Sequence, residues 1–129
     1  MQFQISKILS MKTIAVVGLS PNPDRPSNIV SKYLIKNDYK IFPVNPGHRQ
    51  ILGLRCYPNL KDIKYEVDIV NVFRNSDYAT PIIQEAISIK AKAIWLQDGI
   101  VSSEGKQMTK DNTIIYIEND CVLRRHRRL

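Results

Sequence analysis

The segment from Gly18 to Asn28 carries residue types suited to binding phosphate groups. Gly18 follows the apolar run TIAVV, and glycine allows a sharp turn or a close approach of ligand to backbone. Prolines remove backbone N–H donors from this loop, and they are Pro21, Pro23 and Pro26. Side chains must therefore supply hydrogen bonds, and the candidates are Ser20, Arg25, Ser27 and Asn28. The segment predicts a stiff phosphate-binding turn; a rigid structural turn with Arg25 in solvent is the alternative.

Cys121 and His126 are the residue types of a nucleophile and its general base. Five residues along a helix rotate by about 500°, which leaves the two side chains about 140° apart. In a strand, an odd separation puts them on opposite faces. We therefore expect no catalytic pair and name no catalytic residue, so that an enzymatic activity stays open but is not expected. Two cysteines outside any C-x-x-C pair and two histidines also predict no metal site.

Five apolar runs predict the strands that position these residues. Four of them show no apolar–polar alternation, namely TIAVVG, VDIVNVF, AKAIWL and TIIYIE, and the fifth, YKIFPVN, contains Pro43. Such runs are typical of parallel strands that are covered on both faces. Helical patterns lie between them, including one from Ile29 to Leu34 and one from Ile82 to Ile87. This alternation predicts an α/β fold: a Rossmann-like, doubly wound, mostly parallel sheet of about five strands with helices on both faces.

The chain length of 129 residues predicts one domain over 1–129, with residues 1–10 as a leader helix packing on it. Ile5, Ile8 and Leu9 have helical spacing within this leader. The leader lacks a long apolar segment and a small-residue cleavage site, and no run reaches the roughly 20 apolar residues of a membrane span. We expect a cytoplasmic protein with reduced thiols and no membrane partner.

The formal net charge of +7 is concentrated at the C-terminus. The four arginines among the last six residues are Arg124, Arg125, Arg127 and Arg128. Without them the charge is 7 − 4 = +3. Such a tail can hold a nucleic acid, an anionic membrane or a polyphosphate, or it can be a solvated end. No aromatic residues are interleaved with these arginines, so nucleic-acid binding is an alternative that we do not favour.

Ligands of doubly wound folds bind beyond the carboxyl ends of the strands. The second strand ends in Val44-Asn45-Pro46. NAD-binding units usually carry Asp or Glu there, where the carboxylate binds the ribose hydroxyls. The absence of a carboxylate weakens an NAD hypothesis and leaves NADP open, so an NAD(P)-linked oxidoreductase stays as a second alternative.

Several segments together resemble the small bacterial CoA-binding proteins, which are stand-alone relatives of the CoA-binding domain of succinyl-CoA synthetase. They are IAVVGLSPNPDRPS, PVNP, LGLRCYPNL, VDIVNVFR, IWLQDGI and the DC and HRRL of the ending. The resemblance runs from about Ile5 to Leu129 and implies a Rossmann-like fold that binds coenzyme A or an acyl-CoA, without an established reaction. Two departures are Asn71, where relatives often have Asp, and a tail that is more basic than usual.

The resemblance also implies a set of binding residues. Those for the pyrophosphate and neighbouring phosphate are Gly18, Ser20, Arg25 and Ser27. Those at the adenosine end are Asn45 and Pro46, with Val72, Phe73 and Arg74 on the adenine and phosphate side. Those along the pantetheine path are Gln97, Gly99 and Ile100.

Other interpretations of single residues stay open. Phe73 can be a core aromatic residue, Gln97 can cap a loop, and His48 and Arg49 can be exposed turn residues instead of contacts to a 3′-phosphate. Cys121 can meet the thiol of coenzyme A as a mixed disulfide. A homodimer through a sheet edge or the basic tail is also open.

Overall fold

The computed structural model describes residues 2–129. Its helices are α1 (Gln2–Leu9), α2 (Pro26–Lys36), α3 (Ala79–Ser88), α4 (Ser103–Asp111) and α5 (Val122–Arg127). Its strands are β1 (Thr13–Val17), β2 (Lys40–Val44), β3 (Gln50–Ile51), β4 (Leu54–Arg55), β5 (Ile69–Val72), β6 (Ala93–Leu96) and β7 (Ile115–Ile117). Short 3₁₀ turns cover Leu60–Asp62 and Ser76–Tyr78.

Five of the strands form one parallel sheet in the order β2-β1-β5-β6-β7. Val17, the last residue of β1, pairs with Val44 on one side and Val72 on the other. The chain moves from β1 to one edge and then returns to build the other half, so the order of connection reverses between β1 and β5. This reversal is the topological switch point, where doubly wound sheets bind ligands. The predicted fold class is confirmed.

Helices cover both faces of the sheet, and successive strand residues point to opposite faces. One face packs against α1, α2 and α5, with Leu34, Trp95 and Val122 fully buried there. The other face packs against α3 and, more loosely, α4, with Ile83 and Leu96 fully buried. The apolar runs of the sequence are thus continuous because both faces of each strand lie in a core.

β3 and β4 form a small antiparallel hairpin outside the sheet, which the sequence analysis did not predict. Its two turn residues, Leu52 and Gly53, have φ of 56° and 73°. Two-residue hairpin loops require such left-handed conformations, so the Gly53 in ILGLR was a usable signal. An isolated bridge from Val44 to Tyr57 places the segment that follows the hairpin beside the end of β2.

Helix α1 packs on the sheet through one side. Ile5 and Ile8 are fully buried in the cluster that contains α2 and α5, whereas Phe3 is 82% exposed. Within residues 2–129, none of the helices combines the length and apolar content needed to cross a membrane.

This asymmetry of α1 yields a test of its contribution to the fold. Ile8→Ala should lower the free energy of unfolding by about 2–5 kcal/mol, because it leaves a cavity in the core. Phe3→Ala, in the same helix, should change it by less than about 0.5 kcal/mol. Urea denaturation measures both. Equal small effects of the two substitutions would mean that α1 does not form part of the cooperative unit.

Candidate functional site

The main cavity, of about 470 Å³, opens beyond the carboxyl ends of β1, β5 and β6. Its walls are formed by Gly18, Ser20, Arg25, Pro26, Ser27, Val30, Phe73, Arg74, Asn75, Gln97, Asp98, Ile100 and Cys121. An adjoining cavity of about 480 Å³ shares Gly18, Ser20 and Arg74 with it and extends to Asn45 and Pro46 after β2. We call the two together the switch-point groove, since they flank the junction of β1 and β5.

Gly18 forms the floor between the two cavities. Its φ is +88°, and a Cβ at this position would lie 2.8 Å from the carbonyl oxygen of Phe73 and 2.9 Å from Cδ of Arg74. The Gly18 N–H donates to the carbonyl of Val44 at 3.0 Å, and the Phe73 N–H donates to that of Val17 at 2.9 Å. Glycine is required because the ends of β1, β2 and β5 converge here without room for a side chain.

The proline-bearing loop after Gly18 is held by its own polar side chains. The Ser20 N–H donates to Oγ of Ser27 at 2.9 Å, and Nδ2 of Asn28 donates to the Ser20 carbonyl at 2.9 Å. Oγ of Ser20 accepts from the Asn22 N–H at 3.1 Å. Ser27 is 4% exposed. These serines therefore brace the loop, and their free capacity toward a ligand lies in their hydroxyl hydrogens.

Two arginines line the main cavity without a carboxylate partner. Arg25 is exposed and directly precedes Pro26, the first residue of α2, a position at which proline is favoured. Arg74 is half-buried, and its guanidinium lies 4.6 Å from the ring centre of Tyr78. The ion pairs within residues 2–129 involve Lys92, Arg124 and Arg125 instead. The cavity thus carries two uncompensated positive charges, which favours an anionic ligand.

Gln97 is 3% exposed and joins three elements. Its Nε2 donates to Oδ1 of Asn71 in β5 at 3.2 Å, and its Oε1 accepts from the Val122 N–H of α5 at 3.2 Å. The loop-capping interpretation of Gln97 therefore fits the geometry, and one Nε2 hydrogen is left for the cavity. Among residues 2–129, the buried atoms Oδ1 of Asn28, Oγ of Ser31 and Nδ2 of Asn71 have no hydrogen-bond partner.

The remaining predicted residues differ in their placement. Asn45 joins two loops, because its Nδ2 donates to the Leu19 carbonyl at 3.0 Å and its Oδ1 accepts from the Gly47 N–H at 2.8 Å. Val72 is fully buried in β5, so its side chain belongs to the core. Gly99 has a φ of 80°, and its N–H donates to Oδ1 of Asn119 at 2.7 Å. Eight of the twelve predicted residues line the main cavity, and Asn45 and Pro46 line the adjoining one.

Asp98 and Cys121 also line the main cavity. The sequence analysis did not name Asp98 as a ligand contact, and it considered Cys121 only as a partner of the coenzyme A thiol in a mixed disulfide. Both belong to segments, WLQDG and ENDC, that directly follow predicted strands. Their position at strand ends was the available signal. What the sequence did not reveal is that the loops after β6 and β7 approach the loop after β1 closely enough to share one cavity.

The arginine-rich end folds onto the domain as α5. Arg124 makes a bidentate pair with Asp98, at 3.0 and 2.9 Å, and Nε of Arg125 donates to Oδ2 of Asp120 at 2.9 Å. Nδ1 of His126 lies 2.6 Å from the hydroxyl oxygen of Tyr33 in α2. His126 thus faces α2, whereas Cys121 faces the cavity. Two of the four arginines are already neutralised, which weakens the nucleic-acid alternative.

Asp120 organises the turn between β7 and α5. Burial alone would raise the pKa of Asp120, but hydrogen bonds from Arg125 and the Cys121 N–H, with the charges of Arg125 and Arg124, hold it below its usual value. Its carbonyl oxygen also accepts from Nε1 of Trp95 at 3.0 Å. The ionised carboxylate therefore holds α5 and Cys121, while the carbonyl of the same residue joins the turn to β6.

A doubly wound sheet with an electropositive, glycine-floored groove at its switch point is typical of proteins that bind phosphorylated nucleotides. Comparison with known proteins identifies the kind. Residues 12–127 match the family model described as a CoA binding domain, and the chain belongs to this family.

Individual relatives agree with this assignment. The chain is 41% identical over 120 residues to the protein YneT of Bacillus subtilis (strain 168), a match covering 92% of this chain and 89% of that one. It is similar to the solved structure of a hypothetical protein from Pyrococcus horikoshii OT3, with a TM-score of 0.96 and 35% identity over 100% of this chain and 92% of the other. It is also 31% identical to acetate–CoA ligase (ADP-forming) II of Archaeoglobus fulgidus, over 74% of this chain but 15% of the ligase.

The lowered pKa of Asp120 predicts a pH-dependent stability. Asp120→Asn should lower the free energy of unfolding by about 1.5–3 kcal/mol at neutral pH, since it removes hydrogen bonds to a charged group. A carboxylate whose pKa is lowered by folding stabilises the protein at pH values above its unfolded pKa of about 3.9. This stabilisation is lost as the pH falls through the pKa of the folded protein. The difference between wild type and variant should therefore be constant above pH 5 and shrink below about pH 4.

Urea denaturation at a series of pH values measures this difference. Asp77→Asn is the control, because Asp77 is exposed and its carboxylate takes part in no ion pair within residues 2–129. That substitution should change the free energy of unfolding by less than about 0.5 kcal/mol. A difference for Asp120→Asn that persists unchanged down to pH 2 would contradict the role given to the ionised carboxylate.

Proposed function

We propose that the chain binds coenzyme A, free or acylated, in the switch-point groove and catalyses no reaction of its own. The observation that carries the proposal is the pair of uncompensated cations, Arg25 and Arg74, at the Gly18 turn. A diphosphate at this point would accept charge-assisted hydrogen bonds from both guanidinium groups. Membership of the CoA binding domain family supports coenzyme A as this ligand.

The distribution of side chains favours one orientation of the ligand. The diphosphate lies at Gly18, Ser20 and Arg74, which both cavities share. The 3′-phosphoadenosine lies in the adjoining cavity beside Asn45 and Pro46, because positive side chains extend from there. These belong to a further concave surface next to it, which includes His48, Arg49 and Arg55.

Pantetheine then lies in the main cavity. Its walls there are largely apolar and come from Val30, Phe73 and Ile100. These suit the hydrocarbon part of pantetheine, while the Nε2 hydrogen of Gln97 offers a donor to an amide carbonyl. This orientation gives each chemical part of coenzyme A surroundings of matching polarity.

Binding without catalysis fits the state of the polar groups around the main cavity. The carboxylate of Asp98 is held by Arg124, and the ring of His126 is held by Tyr33. An NAD(P)-linked activity is less favoured, because Asn45 stands at the end of β2 and uses its amide to join two loops.

The ligand is tested by thermal stability with coenzyme A, acetyl-CoA, dephospho-CoA, NAD and NADP. A ligand at one hundred times its Kd raises the free energy of unfolding by about 2.7 kcal/mol. We expect coenzyme A and acetyl-CoA to give the largest shifts, and dephospho-CoA a smaller one because it lacks the 3′-phosphate. An equal shift with NAD would contradict the proposal.

The site is tested by Arg25→Ala and Arg74→Ala. Each should weaken coenzyme A binding by about tenfold or more, since each removes charge-assisted hydrogen bonds to phosphate. Neither arginine forms an ion pair with another of the residues 2–129, so the melting temperature of the free protein should hardly change. Arg128→Ala is the control, because Arg128 is exposed at the C-terminus. Isothermal titration calorimetry measures the affinities, and unchanged affinity in both cavity variants would refute the site.

A further inference from the structure

The two cysteines of the chain have different surroundings. Cys121 is half-buried and forms part of the wall of the main cavity. Cys56 is 8% exposed, and burial raises the pKa of its thiol. The thiolate is the reactive form of cysteine, so Cys56 is held in an unreactive state. Cys121 has a route to solvent through the cavity.

Cys121 lies at the end of the main cavity toward which the proposed orientation directs pantetheine. Gln97 and Ile100, which the orientation places along pantetheine, follow β6, and Cys121 follows β7, the next strand toward the sheet edge. With the diphosphate at Gly18 between β1 and β5, pantetheine runs across the strand ends toward α5. The reactive end of pantetheine is itself a thiol.

Independent features of the cavity point to a ligand that would bring this thiol. Arg25 and Arg74 have no carboxylate partner within residues 2–129. Gln97 lines the same cavity and is 3% exposed, and within residues 2–129 its Nε2 donates to Asn71 alone, which leaves one hydrogen for a ligand. The cysteine therefore belongs to a built anionic-ligand cavity.

We propose that Cys121 forms a mixed disulfide with coenzyme A held in the switch-point groove, with coenzyme A disulfide as the oxidant. This inference rests on the proposed function and adds a redox-dependent, covalent mode of holding the ligand. Non-covalent binding of reduced coenzyme A would occur at the same site.

The reaction is a thiol–disulfide exchange. The Cys121 thiol releases its proton to solvent, and the thiolate attacks the sulfur of the bound half of coenzyme A disulfide. The Cys121–sulfur bond forms as the original disulfide bond breaks. The other coenzyme A half leaves as a thiolate and takes up a proton. A small dithiol reverses the reaction and restores both thiols.

The fixed position of Cys121 supports this exchange. Its N–H donates to Oδ1 of Asp120 at 2.8 Å, and Arg124, bound to Asp98 and Asp120, carries its positive charge near Cys121. The cysteine is thus anchored through its backbone, while its side chain packs partly against the core and borders the cavity.

Intact-protein mass spectrometry after incubation with coenzyme A disulfide tests the proposal. We expect one coenzyme A adduct on the wild type and on Cys56→Ser, and none on Cys121→Ser. Dithiothreitol should remove the adduct. Peptide mapping should place it on Cys121. An adduct that survives in Cys121→Ser, or no adduct on the wild type, would overturn the proposal.

A second comparison separates directed from general reactivity. Arg25→Ala should slow modification by coenzyme A disulfide by about tenfold or more, because it lowers occupancy of the groove. It should leave the rate with bis(2-hydroxyethyl) disulfide unchanged, because that probe carries no phosphate. Equal slowing with both probes, or no slowing with either, would show that the groove does not direct the reaction.

Calorimetry with reduced coenzyme A distinguishes failure of this inference from failure of the proposed function. The wild type should bind reduced coenzyme A, because non-covalent binding needs no disulfide. Full affinity without an adduct on the wild type would leave the binding function intact and refute the disulfide alone. Absence of affinity in the wild type would refute the proposed function as well.

Discussion

The convergence of three strand ends at Gly18 is the constraint on which the groove depends. The Gly18 N–H is used by the Val44 carbonyl, and the carbonyl before it, of Val17, is used by the Phe73 N–H. These bonds extend the β2-β1-β5 pairing one residue beyond β1. The chain must then leave the sheet at once, and a φ of +88° beside the Phe73 carbonyl permits this for glycine alone. The groove exists because the backbone turns away here.

The allocation of carboxylates decides which cations are available to a ligand. Arg124 and Arg125 are the arginines that the sequence makes conspicuous, yet Asp98 and Asp120 bind them. Arg25 and Arg74 are single arginines in unlike segments, and neither has a carboxylate partner within the described chain. Local electrostatics at the groove is therefore more informative than the net charge of +7, which does not say which cations are paired.

The sequence predicted those features that depend on local patterns. Strands buried on both faces appear as apolar runs, so the sheet and its flanking helices were predictable. The β3–β4 hairpin has two residues per strand, too few for a periodic pattern. The partners of Gln97 lie 26 and 25 residues away, so its structural role depends on tertiary packing that spacing does not reveal. The same holds for Arg124, whose partner Asp98 is 26 residues distant.

The polar groups around the main cavity divide into those that the fold uses and those that it leaves. Ser27 accepts from the loop backbone, Gln97 caps α5, and Asp98 holds Arg124. Each of these side chains already has a hydrogen-bond partner in the protein, so few groups in the cavity wall could accept a proton from a ligand. The groups left to a ligand are the two guanidinium ions, a thiol and a few hydrogen-bond donors, among them one Nε2 hydrogen of Gln97. Cations and a thiol in one cavity match the chemistry of the proposed ligand, which has a diphosphate at its centre and a thiol at its end.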